Sequence, residues 1–157
     1  MPTAAEPSAT TFVAWVFPTA LAVDAAELRV KRLEEQHRLT VRESATVRWL
    51  KGKTQPEVVR RHSTGHAVGK GAVWGGIVGA VLGGPVGGAV VGAAVGGVAH
   101  KVRRTQLPAD VLASVRDEMR PGRSALLVLV AQSPADTDVD AVSGQETGVK
   151  VLRAELV

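Results

Sequence analysis

Apolar and polar positions alternate in three different ways along the chain, and each predicts a different element. The run "TFVAWVF" (Thr11 to Phe17) is uninterrupted, rich in β-branched and aromatic residues, and stops at Pro18. That predicts a buried strand. From Thr19 to His37 the period becomes helical. Leu21, Ala25 and Leu28 lie beside Ala22, Ala26, Val30 and Leu33, while Arg29, Lys31, Arg32, Glu34 and Glu35 are left for solvent. Pro18 is expected near the first turn, where its missing N–H costs nothing. In "VRESATVRWL", Ala45, Val47 and Trp49 alternate with Thr46, Arg48 and Leu50, the period-2 pattern of a strand with one buried face. Gly52 marks a turn in "KGK", and "TQPEVVRRH" returns as a third strand. Pro56 cannot donate to a central ladder, so it confines that strand to an edge or stands among its first residues.

The pattern resumes after a long glycine-rich stretch. "LPADVLASVRDEM" (Leu107 to Met119) is a second amphipathic helix, with Pro108 at its start and Val111, Leu112, Val115 and Met119 on its apolar side. "RPGRS" turns the chain into "SALLVLVA" (Ser124 to Ala131), the most hydrophobic strand. The polar stretch "SPADTDVDAVSG", with room for a short helix, leads to a last strand in "GVKVLRAELV". The order is β-α-β-β-[glycine segment]-α-β-β. Without the segment, the first six elements have the ferredoxin-like split β-α-β order, an α+β fold. The expected organisation is a tail over 1–10, a first domain part over 11–64, an inserted hairpin over 65–100 and a second domain part over 101–157.

The inserted stretch carries no charge from residue 71 to 99, well beyond the ~18 residues that indicate a membrane span. Gly71, Gly75, Gly79, Gly83 and Gly87 are spaced by four, and so are Gly84, Gly88, Gly92 and Gly96. Each set forms one ridge of a helix, where missing side chains admit a partner backbone. The two registers meet at Gly83-Gly84-Pro85, a helix-breaking turn. The reading is two short glycine-zipper helices. A single kinked span of ~43 Å exceeds the ~30 Å hydrocarbon core and would divide the sheet between two sides of the membrane. A hairpin avoids both problems. Arg60, Arg61 and Lys70 precede the segment and Lys101, Arg103 and Arg104 follow it, so both roots carry cytoplasmic-type charge and would lie against lipid headgroups. Trp74 is read either as an interfacial anchor or as the bulky filler between glycines. Each arm is only ~20 Å long, so burial among other copies in a soluble oligomer stays open beside insertion in lipid.

Composition narrows the function classes. The chain has 157 residues, a net charge of +4, two Phe and no Tyr. So few aromatic residues argue against a base-stacking surface, and no nucleic-acid partner is expected. The absence of cysteine excludes disulfides, thiolate metal sites and a cysteine nucleophile. "MPTAAEPSAT" lacks a basic n-region, and "FVAWVF" is too short for a signal-peptide core, so the chain is not expected to be secreted.

The order of elements, the stretch "GAVWGGIVGAVLGGPVGGAVVGAAVGG" and "LPADVLASVRDEMRPGRSALLVLV" together resemble the bacterial family called domain of unknown function 1269. Gly83-Gly84-Pro85 and "PGRSALLVLV" from Pro121 carry most of the likeness, which extends over Thr11 to Val157. The chain departs from the family pattern after the hairpin, where "HKVRRTQLP" is basic. The resemblance implies a small membrane-associated protein with a glycine-rich hairpin in an α/β domain and no assigned activity. Membrane maintenance or stress tolerance is the setting that analogy offers.

No constellation reads as catalytic. His62 and His66 are four apart but flank Gly65 in a loop-like stretch, with no carboxylate nearby. With His100 they form at most a pH-sensitive collar at the hairpin roots. "GKGAVWGG" lacks the Ser or Thr of a phosphate loop. Asp136, Asp138 and Asp140 are read as a solvated loop rather than a cation site, and Glu34 and Glu35 as part of an exposed helix face. The expectation is a non-enzymatic protein without cofactor or small-molecule substrate, on the cytoplasmic membrane with its α/β domain on the cytoplasmic side. Its partners are lipid and other copies of itself. A soluble assembly protein whose hairpins share an apolar core is the alternative.

Overall fold

The computed structural model describes residues 10–62 and 109–156. Its elements are β1 (Thr10–Phe17), α1 (Ala22–Glu35), β2 (Val41–Arg48), β3 (Glu57–His62), α2 (Ala109–Glu118), β4 (Ser124–Val130), α3 (Asp136–Ser143) and β5 (Lys150–Leu156). The fold is α+β: one five-stranded sheet in the order β3-β2-β4-β1-β5, with every neighbouring pair antiparallel, and three helices. The glycine-rich segment falls between β3 and α2 and, like the tail, lies outside the described residues.

The two uninterrupted apolar runs are the sheet's interior. Residues 11–17 of β1 and all of β4 are buried, and the two strands pair from Thr11 opposite Val130 to Phe17 opposite Ser124. A strand is apolar on both sides only when both faces are covered, and here they are. On one face Phe12, Ala14 and Leu127 meet Leu112, Val115 and Met119 from the α2 side. On the other, Val13, Trp15 and Val128 meet Val23, Ala26 and Val30 of α1 and Val139 and Val142 of α3. Full burial of Trp15, Phe12 and Phe17 stabilises the fold by about 1.5–3 kcal/mol each.

Three expectations change. α1 runs over Ala22–Glu35 instead of Thr19 to His37, so Pro18 stands four residues before it. Its buried stripe is Ala22, Val23, Ala26, Val30 and Leu33, whereas Leu21 and Leu28 are 64% and 61% exposed. At about 100° per residue, positions 21 and 28 fall on the side of the helix opposite that stripe. Asp136, Asp138 and Asp140 are not in a solvated loop but on α3, the short helix for which that polar stretch has room. Asp138 is 6% exposed there and paired with the Arg38 guanidinium. β3 is an edge strand with Pro56 just before it, as the sequence implies.

The crossovers do not share one hand. β3 to β4 and β4 to β5 each step two places the same way across the sheet between strands of the same direction. Their helices, α2 and α3, nevertheless pack on opposite faces. α1, which joins β1 to β2, shares both its face and its hand with α3. About 98% of such connections are right-handed because a short crossover from a twisted strand packs back only one way. The β3-to-β4 connection has 61 residues (63–123), long enough to escape that restriction.

Candidate functional site

Antiparallel register fixes which strand ends share an end of the sheet. His62, the last residue of β3, is opposite Glu43, near the start of β2, and Val41 is opposite Val130, the last residue of β4. α2 finishes at Glu118 and only five residues separate it from the start of β4 at Ser124, so its first residue, Ala109, lies back toward the Val130 end. The chain therefore leaves β3 and enters α2 at one end of the sheet. We call this the segment end. The α1–β2 loop reaches it too, since it delivers the chain to Val41.

That loop is built tightly. His37 sits at φ 56°, the left-handed conformation that closes a helix, and its N–H donates to Glu34 O at 3.0 Å. The N–H groups of Arg38 and Leu39 both reach Leu33 O, at 2.9 and 3.3 Å. Glycine is the ordinary occupant of such a position because it has no Cβ penalty. His37 and Arg38 are exposed, and Arg38 bridges to Asp138 of α3. Glu34, expected on an open helix face, is half-buried. Burial first, and the neighbouring Glu35 second, push its carboxyl above the usual carboxylate value.

The opposite end is closed by hydrogen bonds. Trp49 N–H donates to Arg123 O at 2.9 Å, and Trp49 Nε1 donates to Lys53 O at 2.9 Å. Ser124 Oγ donates to Thr19 O at 2.7 Å. Glu118 there accepts from Lys150 Nζ at 3.0 Å and Arg123 Nη1 at 2.8 Å. The hydrogen bond from Lys150 first, aided by both positive charges, holds its carboxyl below the usual value against a smaller opposing effect of burial.

Beside α1 a cleft of about 150 Å³ is lined by Asp24, Glu27, Thr46, Arg48, Glu57 and Val59. Arg48 is paired with Asp24, which leaves the cleft acidic. Among the described residues no group of three or more His, Cys, Asp or Glu is placed to hold a metal ion. No nucleophile–base pair is assembled by the hydrogen bonds described above. Among the described residues no helix is long and apolar enough to cross a membrane.

Of the residues singled out by sequence, Arg60 and Arg61 lie on β3, at register positions opposite Ala45 and Ser44. His62 closes that strand at the segment end. Gly71, Gly75, Gly79, Gly83, Gly84, Pro85, Gly88, Gly92 and Gly96 lie outside the described residues, as do Lys70, Trp74, Lys101, Arg103, Arg104, His66 and His100. The structure adds His37 and Arg38, which sequence reasoning passed over. Arg38's partner is a hundred residues away, and no local pattern connects them.

No curated protein and no solved structure matches the chain. The family described as "Protein of unknown function (DUF1269)" matches residues 67–157, more than half of the chain. The likeness drawn from sequence reached back to Thr11, whereas this match starts inside the glycine-rich segment and takes in α2, β4, α3 and β5. The chain belongs to that family.

Proposed function

We propose that the protein is a non-enzymatic, membrane-associated protein whose glycine-rich segment forms a helical hairpin that anchors it and drives its self-association. One observation carries the reading. His62 and Ala109 lie at the same end of the sheet, so the 46 residues between them start and finish on one side. A hairpin satisfies that condition, and a single span does not. The uncharged run 71–99, the two glycine registers and the basic roots support insertion in lipid. Arg60, Arg61, Lys70, Lys101, Arg103 and Arg104 then face anionic headgroups with Trp74 near the interface, and the α/β domain lies on the cytoplasmic side. The frame is read as ferredoxin-like on the β-α-β-β-α-β order of its first six elements. Two features depart from that frame: α2 lies on the far face, and β1 is flanked by β4 and β5 instead of by the third and fourth strands.

Washing membranes from expressing cells with alkaline carbonate tests the anchor. The chain should stay in the pellet and leave it only with detergent. Recovery in the wash as a large, uniform particle would reject the anchor in favour of a soluble assembly with hairpins packed in a shared core. Gly79→Leu and Gly92→Leu should abolish self-association in either case, because both fill a zipper ridge.

A further inference from the structure

We propose that residues 101–108, the limb by which the chain returns from the glycine-rich segment to α2, lie across β4 and β2 on the α2 face of the sheet, with Arg104 or Arg103 answering the carboxylate of Glu43. The inference goes beyond the anchor, since it holds whether the hairpin enters lipid or packs among other copies. The other basic residues of the limb stay at the root of the hairpin.

Burial on that face exceeds what the described elements supply. Among the described residues α2 is the one helix there, and it lies over β1 and β5. A helix is ~10 Å wide, about two strands at ~4.8 Å spacing. β2 is two places beyond β1 in the order β3-β2-β4-β1-β5, so it runs ~12 Å to the side of the α2 axis. Yet Ala45 is 1% exposed and Leu129 8%. Glu43, two positions before Ala45 and opposite Leu129, shares their face and is 7% exposed. Side chains on strands stand roughly perpendicular to the sheet. Neighbours on β3 and β4 therefore flank Glu43, and its cover has to come from above.

Path and charge identify the cover. The chain leaves β3 at one edge of the sheet and enters α2 above the opposite half, at the same end. It has to pass β2 and β4 somewhere within residues 63–108. Extended chain reaches ~3.3 Å per residue, so Arg104 and Arg103, ~16 and ~20 Å back from Ala109, are the first cations able to stand over β2. A buried carboxylate is retained when it is paired, and 101–108 holds three basic residues and no acid. The tail over 1–9, which joins β1 at this end, holds no Lys or Arg. His62 and Arg60 are the register neighbours of Glu43 and Ala45 on β3. They are rivals for the charge but lie beside Glu43, not above it.

The chain has no cysteine, so a thiol introduced by Ala45→Cys or Ala14→Cys is unique. The first lies under the proposed limb and the second on β1 beneath α2, and both should alkylate slowly in the full chain. Arg103→Glu combined with Arg104→Glu sets two like charges over Glu43. Alkylation at 45 should then rise roughly a hundredfold or more, the scale on which a buried charge loses its partner, with 14 still protected. Adding Glu43→Lys should restore protection at 45. Where the acidic limb loosens the whole fold and exposes 14 as well, Glu43→Lys should restore both. Unchanged protection at 45 in the acidic limb, or a loss that Glu43→Lys does not restore, overturns the inference. Loss with Arg60→Glu but not with the acidic limb assigns the charge to β3 and overturns it too.

Discussion

The indole Nε1 of Trp15 donates a buried hydrogen bond of 3.1 Å to the main-chain oxygen of Val139. Trp15 lies in an interior strand of the sheet, and Val139 lies in the second turn of α3, 124 positions later. The bond fixes where α3 sits above β1, and it satisfies the one polar atom of the largest fully buried side chain. Trp15→Phe should remove the donor, strand the Val139 carbonyl without that partner and leave a small void. Together these cost about 2–4 kcal/mol. Urea unfolding should show a lower midpoint with an unchanged slope, since the surface exposed on unfolding stays the same.

α3 has a second tie. Arg29 of α1 donates through Nη1 to Val142 O at 3.1 Å and Ser143 O at 3.3 Å, meeting the open carbonyls where α3 ends. Gly144, at φ 65° and ψ −145°, closes that helix in a conformation that side chains rarely adopt, and a Cβ there would collide with the Arg29 guanidinium. Gly144→Ala should therefore destabilise by about 2–3 kcal/mol, through backbone strain and displacement of the cap. Arg29→Ala alone should cost about 1–2 kcal/mol. The double variant should be less destabilised than the sum, because alanine at 29 leaves nothing to displace. Additive costs in a double-mutant cycle would separate the two residues.

Two glutamates should titrate stability in opposite directions. Glu118 is held below the usual carboxylate value of 4.5 by Lys150 and Arg123. Its contribution is therefore present above pH 4.5 and is lost as pH falls through its lower folded value. Glu34 is held above 4.5 by burial and by Glu35. The fold then favours its protonated form, and its penalty appears as pH rises past 4.5. Glu118→Gln should destabilise at pH 7 by about 0.2–1 kcal/mol, as expected of an exposed pair. Glu34→Gln should stabilise at pH 7. Both differences should close toward zero well below pH 4.5, which chemical denaturation of each variant at pH 7 and pH 3 will check.

How far the sequence reaches depends on whether the signal is local. "TFVAWVF" and "SALLVLV" announce buried strands because burial on both faces removes alternation, and the apolar side of α2 is legible as period 3.6. Sheet order has no such mark. β1 lies between β4 and β5, strands more than a hundred residues away, and only tertiary packing selects them. "DTDVDAVS" has room for a short helix, but its acids read as solvated because the partner of Asp138, the Arg38 guanidinium, is distant in sequence. On the candidate site, the basic roots and the glycine registers are visible in one dimension. The shared end of His62 and Ala109 needs the strand register, and the His37–Arg38 loop needs both register and exposure.

Removal of the insert tests whether the described unit carries its own core. Among the described residues, two core clusters are built from β1, α1, β2, α2, β4 and α3, with Trp49, Val58, Val149, Leu152 and Leu156 against them. Because β3 ends and α2 begins at the same end of the sheet, a flexible linker from Thr64 to Lys101 need not cross the sheet's length. The linker must remain long, since a short one would force the α2 crossover into the hand that short connections avoid. A chain with 65–100 replaced by a Gly/Ser linker should unfold cooperatively, give a dispersed amide spectrum and no longer sediment with membranes. Shortening that linker stepwise should lower the melting temperature sharply once the constraint on hand takes hold. It should do so well before the ~0.6 kcal/mol per halving of loop length, which by itself favours the shorter loop, becomes important. A noncooperative, aggregating product at every linker length would show instead that the insert is part of the core.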